Sequence, residues 1–136
     1  MNNMQNMNQI GGFDNYNLNN NYMNYMPNDQ NIFFMNSKIN LDIELDVNKI
    51  PTNIEWSAPD GGVKKSKADA FMLSVWDGKT KDTLRIDLWT KNMLVDDMKK
   101  FYHQTLLSMA DGFQRSTNED EMSEDLRDFA KYFAEK

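Results

Sequence analysis

The chain has no cysteine and a single histidine in 136 residues. The first absence removes disulfides, thiolate nucleophiles and cysteine-based metal sites together. The second leaves His103 without the partners that a mononuclear metal site needs. Positive charge is also short: 15 Lys and Arg stand against 21 Asp and Glu, a formal charge of −6. A surface built for DNA or RNA would need the opposite excess, so no nucleic-acid partner is expected. No run approaches the roughly 20 apolar residues of a membrane-spanning helix, so no membrane insertion is expected. The stretch MNNMQNMNQIGG has neither a basic residue nor an apolar core. It does not read as a secretory signal, and a cytoplasmic protein is the simplest expectation.

What is present divides near Ser37. Residues 1–36 are dominated by Asn with interspersed Met and Tyr, and their only charges are Asp14 and Asp29. Such a tract buries too little apolar surface to offset its ordering entropy, so it reads as a disordered low-complexity tail. It is either a self-association or docking segment or a dispensable extension. Ile32-Phe33-Phe34-Met35 is its one apolar cluster, suited to packing on the edge of the domain that follows or to extending its first strand. Residues 37–136 have the length of one ordinary domain.

That domain opens on strict alternation. Ile39, Leu41, Ile43, Leu45 and Val47 face one way, and Lys38, Asn40, Asp42, Glu44 and Asp46 the other. A period of two predicts a half-buried antiparallel strand. Asn48-Lys49-Ile50-Pro51 supplies a turn, and Ile54 with Trp56 marks a short second strand. Ala58-Pro59-Asp60-Gly61-Gly62 predicts a loop, made basic by Lys64, Lys65 and Lys67. A third strand, 70–76, is apolar on nearly both sides. Asp77 to Lys81 forms a hairpin loop, with Gly78 expected to take the positive φ angle. The fourth strand, 83–89, sends Leu84, Ile86 and Leu88 inward and Thr83, Arg85, Asp87 and Trp89 to the other face.

Helical spacing then takes over. Met98, Phe101, Tyr102, Thr105, Leu106, Met109 and Phe113 recur at three- and four-residue intervals, with Asp96 and Asp97 in a first turn where the helix dipole favours them. Gly112 reads as lying near the end of this helix. Asn118 with Glu121 resembles a capping box opening a second helix, striped by Met122, Leu126, Phe129, Ala130 and Phe133. The expected fold class is α+β: a four-stranded antiparallel meander sheet with two C-terminal helices packed on one face, preceded by the disordered tail.

Catalytic constellations are missing. His103 sits mid-helix without a Ser or Cys partner, and the acidic clusters Asp96-Asp97 and Glu119-Asp120-Glu121 are explained by helix N-termini. Asp77-Gly78-Lys79-Thr80 lacks the upstream glycine of a phosphate-binding loop and leads into a strand. An enzyme is therefore not expected. The residues left over are Trp76, Arg85, Asp87 and Trp89, which share no core with Leu84, Ile86 and Leu88. With helices on one sheet face, they form a candidate protein-binding surface on the other. Two other readings stand beside it. The tail, a loop or a second copy covers that face, or Arg85 and Asp87 are cross-strand ion-pair partners worth little energetically.

The block LSVWDGKTKDTLRIDLWTKNMLVDDMKKFYHQ, from Leu73 to Gln104, together with SKINLDIELDVNKIPTNIEWSAPDGG before it, resembles the gliding motility-associated GldC family of the Bacteroidetes. Val75-Trp76-Asp77, Thr83 to Lys91, Met93, Asp96-Asp97 and Met98-Lys99 carry the likeness, which spans roughly Ser37 to Lys136. Leu94 stands where the family pattern has a proline, and the Asn-rich tail lies outside that pattern. The resemblance implies a small soluble accessory protein of the gliding machinery, which is tied to the type IX secretion apparatus. It implies no catalytic activity and no cofactor, and a partner within the apparatus. The expected function is thus a non-enzymatic adaptor working by protein–protein contact. A ligand-binding domain or carboxylate-dependent enzyme with a pocket between sheet and helices is the alternative. A homodimer through open sheet faces or edges is a further expectation.

Overall fold

A computed structural model describes residues 35–136, which fall into a strand unit ending at Met93 and a helical unit, Leu94–Lys136. The disorder expected of the Asn-rich tract, and the packing expected of Ile32 to Phe34, lie outside the described residues. The α+β class holds, with antiparallel strands followed by two C-terminal helices. The strand count and their grouping differ from expectation. Among the described residues five strands form two sheets: β1 (Asn40–Leu45), β2 (Pro51–Ala58) and β3 (Val63–Ala68) make one, and β4 (Ala70–Asp77) and β5 (Asp82–Trp89) make the other.

The unexpected strand is β3, VKKSKA, whose lysines had marked it as a loop. It is an edge strand, where lysine is well tolerated. Lys65 Nζ reaches Glu55 Oε2 on β2 at 2.9 Å. A 3-10 turn, Pro59–Gly61, and Gly62 at φ 79° reverse the chain between β2 and β3. The split into two sheets also has a local cause. Only Asp69 separates β3 from β4, fewer residues than a hairpin turn requires. The chain therefore leaves one ladder and begins another. The Thr90 amide donates to the Asp69 carbonyl at 2.8 Å and the Lys91 amide to the Pro51 carbonyl at 3.3 Å, tying the end of β5 back to the start of β2 and the β3–β4 junction.

In the three-stranded sheet the register sets Ile43 against Ile54 and Ile54 against Ala68, so Ile54 sits at the centre of the apolar face with no exposed surface. Asp42, Glu55 and Lys67 line up across the other face. The β1–β2 turn is built by Asp46, whose Oδ1 accepts from the amides of Asn48 at 2.8 Å and Ile50 at 3.0 Å. These bonds hold Asp46 below the usual carboxylate range, the Ile50 amide first, with Lys91 adding to the effect.

The helical unit is a hairpin of α1 (Val95–Thr117) and α2 (Asp120–Ala134). Gly112 lies inside α1 rather than near its end, and the helix runs five residues further. Asn118 does not cap α2 through a capping box. It closes α1 at φ 60°, ψ 21°, donating its amide to the Gln114 carbonyl. Ala110, Ser123 and Ala130 are fully buried, and all three are small side chains. The Ser123 hydroxyl donates to the Glu119 carbonyl at 2.6 Å.

A candidate interaction surface on the second sheet

The β4–β5 ladder is regular from end to end. Ala70 pairs with Trp89, Met72 with Asp87, Ser74 with Arg85 and Trp76 with Thr83. Residues directly opposite each other project to the same side of an antiparallel pair. Trp76, Arg85, Asp87 and Trp89 therefore share one face. The alternate pairs Phe71–Leu88, Leu73–Ile86 and Val75–Leu84 make the opposite face apolar up to the Asp77–Asp82 pair at its loop end. Alternation along 83–89 separated these two sets in the sequence, and the register extends the separation across both strands.

Burial departs from expectation. Leu84 and Ile86 are 61% and 52% exposed, so they do not form a core, and only Leu88 of the three is half-buried. The core of the strand unit lies around Ile54 instead. On the mixed face Trp76 is 61% and Trp89 55% exposed. Between them in register, Arg85 Nη2 lies 3.0 Å from Asp87 Oδ1. Arg85 and Asp87 thus pair along one strand, two residues apart, and not across the ladder.

The β4–β5 loop holds its shape through Asp77, whose Oδ1 accepts from the amides of Lys79 at 2.8 Å and Thr80 at 3.3 Å. The positive φ falls on Lys81, at 61°, and not on Gly78. The Asp77 side chain sets that turn itself, so no glycine is needed at its first position.

Two further charged groupings stand out. On the three-stranded sheet, the Lys65 ammonium beside Glu55 lowers the carboxyl and is itself raised. In the helical unit Arg127 binds Asp111, Gln114 and Glu124 at once. Asp111, first among these, raises the guanidinium above its ordinary value. Both groupings are satisfied ion pairs within the fold, which accounts for their shifts without a reaction. His103 is half-buried on α1. Among the described residues no three His, Asp or Glu side chains converge as metal ligands would, and no helix is long and apolar enough to cross a membrane.

A family model described as gliding motility-associated protein GldC-like matches residues 51–136, from the first residue of β2 through both helices. No curated protein and no solved structure gives a match.

Proposed function

The chain belongs to the gliding motility-associated GldC-like family, and from that membership we propose that it is a non-enzymatic, cytoplasmic adaptor that binds a protein of the gliding apparatus through the mixed face of the β4–β5 ladder. One observation carries the reading. Trp76 and Trp89 lie more than half exposed on the same face, with a charged pair between them. Tryptophan and arginine are the side chains most enriched at binding hot spots, because burying a large rigid ring releases much water at little conformational cost. Two exposed aromatic rings flanking a charged pair suit a protein partner better than a small substrate.

Capture from a gliding cell tests this reading. Trp76→Ala on the full chain is expected to cost about 2 kcal/mol or more of affinity, roughly a thirtyfold loss of captured partner. Circular dichroism of the variant should stay unchanged, since the side chain is exposed. Capture at the wild-type level by Trp76→Ala and by a Trp76→Ala, Trp89→Ala double variant would remove this face as the binding surface.

A further inference from the structure

The three-stranded sheet ends in two edges of opposite charge. β1, NLDIEL, carries Asp42 and Glu44 and no cation; β3, VKKSKA, carries Lys64, Lys65 and Lys67 and no carboxylate. The register through β2 sets Asp42, Glu55 and Lys67 in one row. Glu44 follows Asp42 to that side of the sheet by alternation. Lys65 is on it too, with its ammonium 2.9 Å from Glu55. Both edges thus display charge on the same face. Much of it is unmatched: Asp42, Glu44 and Lys67 form no ion pair among the described residues. Asp42 stands directly opposite Glu55, and like charges so placed destabilise a ladder.

The two edges are also open along the backbone. β1 and β3 each bond to β2, and among the described residues the backbone of neither forms a hydrogen bond to any other element. Pairing either edge with itself in a second copy sets carboxylate beside carboxylate or ammonium beside ammonium. Lysine usually blunts an edge in this way, but an acidic strand is the one that it does not repel. β1 and β3 run in the same direction, because both are antiparallel to β2. With the apolar sides of two copies on one face, β3 of one therefore meets β1 of the next in parallel. Placing Ser66 beside Ile43 of the second copy brings Lys65 to its Asp42 and Lys67 to its Glu44. A shift of two residues either way keeps only one such pair within the strands. On the apolar side the same register brings Ala68 to Leu45 of the second copy, a residue otherwise exposed.

We propose that this chain associates head to tail, the β3 edge of one copy pairing in parallel with the β1 edge of the next. Charge complementarity names the occupant, because Asp42-Ile43-Glu44 matches Lys65-Ser66-Lys67 residue for residue. Asp42 then lies between Glu55 of its own chain and a lysine of the neighbour, which relieves the like-charge opposition. The contact joins two different surfaces, so each added copy presents a fresh edge and assembly is open-ended. The inference is independent of the adaptor reading, since it uses the other sheet and needs no other protein.

Light scattering on the purified full chain reads the outcome directly. The mass should rise from 15.9 kDa past twice that value as concentration increases into the high micromolar range. Glu44→Lys and Lys67→Glu each place like charges at the contact, and each variant alone should self-associate roughly tenfold more weakly. An equimolar mixture of the two should recover wild-type association, because the altered edge of either variant meets its complement on the other. Circular dichroism checks that both remain folded. A second arm uses the absence of native cysteine and leaves every charge in place. Cα atoms on neighbouring strands lie about 4.8 Å apart, within disulfide range. Chains carrying Ile43→Cys mixed with chains carrying Ser66→Cys should therefore oxidise to crosslinked pairs faster than either variant alone. A chain that stays monomeric throughout, as edges reserved for another protein would give, overturns the proposal. So does a mass that levels at two copies, a single variant that associates like wild type, a mixture without recovery, or crosslinking no faster in the mixture.

Discussion

Arg127 Nη2 lies 2.9 Å from Asp111 Oδ1 and 2.6 Å from Gln114 Oε1, so one guanidinium on α2 grips two successive turns of α1. Asp111 and Gln114 are three residues apart and stack on one side of the helix. The fork of the guanidinium suits two acceptors held at that spacing. Arg127→Ala is expected to lower the melting temperature of the helical signal, and Arg127→Lys to recover little of it. Lys131→Ala removes a pair formed only within α2, to Asp128, and should leave the melt where it was. Thermal denaturation followed at 222 nm distinguishes the three.

Acid should weaken the strand unit in a defined window. The fold lowers Asp46 from 3.8, chiefly through the Ile50 amide, and Glu55 from 4.5, chiefly through Lys65. A lowered carboxyl favours the ionised folded state. Its stabilisation is complete above the unfolded value and is lost as pH falls through the folded one. Urea midpoints should therefore hold steady above pH 4.5 and decline as pH falls below it. Asp46→Asn keeps an acceptor for the turn amides but cannot titrate, and its acid decline should be shallower than that of wild type.

Ile54 is the largest fully buried apolar side chain among the described residues. Ile54→Ala should cost about 2–5 kcal/mol and Ile54→Val about 0.5–1.5 kcal/mol in urea unfolding. Ile43→Ala, opposite it on β1 and only half-buried, should cost less.

Gly112 and Ala110, two residues apart on α1, should respond to enlargement with opposite sign. A Cβ built at Gly112 meets nothing within 4 Å. Gly112→Ala should therefore raise stability by about 0.5–1 kcal/mol through helix propensity alone. Ala110 has no exposed surface, and Ala110→Leu should cost about 1–3 kcal/mol by forcing the helices apart. Paired chemical denaturation curves give both values.

Asn118 holds the left-handed conformation that ends α1. Asn118→Gly should be tolerated without loss. Asn118→Val, which combines a β-branch with positive φ, should cost about 1–2 kcal/mol. The measurement is the urea midpoint of each variant.

Local patterns in the sequence foretold local structure. The alternation from Thr83 to Trp89 located β5 and separated its faces. That from Ile39 to Val47 located β1 but overran it, since the strand is Asn40–Leu45 and Ile39, Leu45 and Val47 are exposed. Helical spacing located α1 and α2. Lys64, Lys65 and Lys67 concealed β3, because charge reads as loop until a carboxylate such as Glu55 is placed beside it. Asn118 misled for a chemical reason: asparagine suits both the start of a helix and the left-handed residue after one. The extent of α1 decided between them, and Gly112 obscured that extent. Grouping strands into sheets was the step furthest from local pattern. Four strands joined by short connections suggested one meander, and the single residue Asp69 between β3 and β4 broke it. Leu84 and Ile86, expected in a core, lie more than half exposed on the two-stranded ladder. The sharing of one face by Trp76 and Trp89 follows from the β4–β5 register, which alternation within one strand only half supplies.

Among the described residues every ladder and the helical hairpin join elements adjacent in sequence. The loops closed during folding are therefore short, and little chain entropy must be lost before contacts begin to compensate. Helix and hairpin formation occur within microseconds, so the collapse of each unit should be complete within milliseconds rather than seconds. On the ribosome the same order means that each new element meets its neighbour almost as soon as it emerges. β1 through β3 can close before either helix has been synthesised.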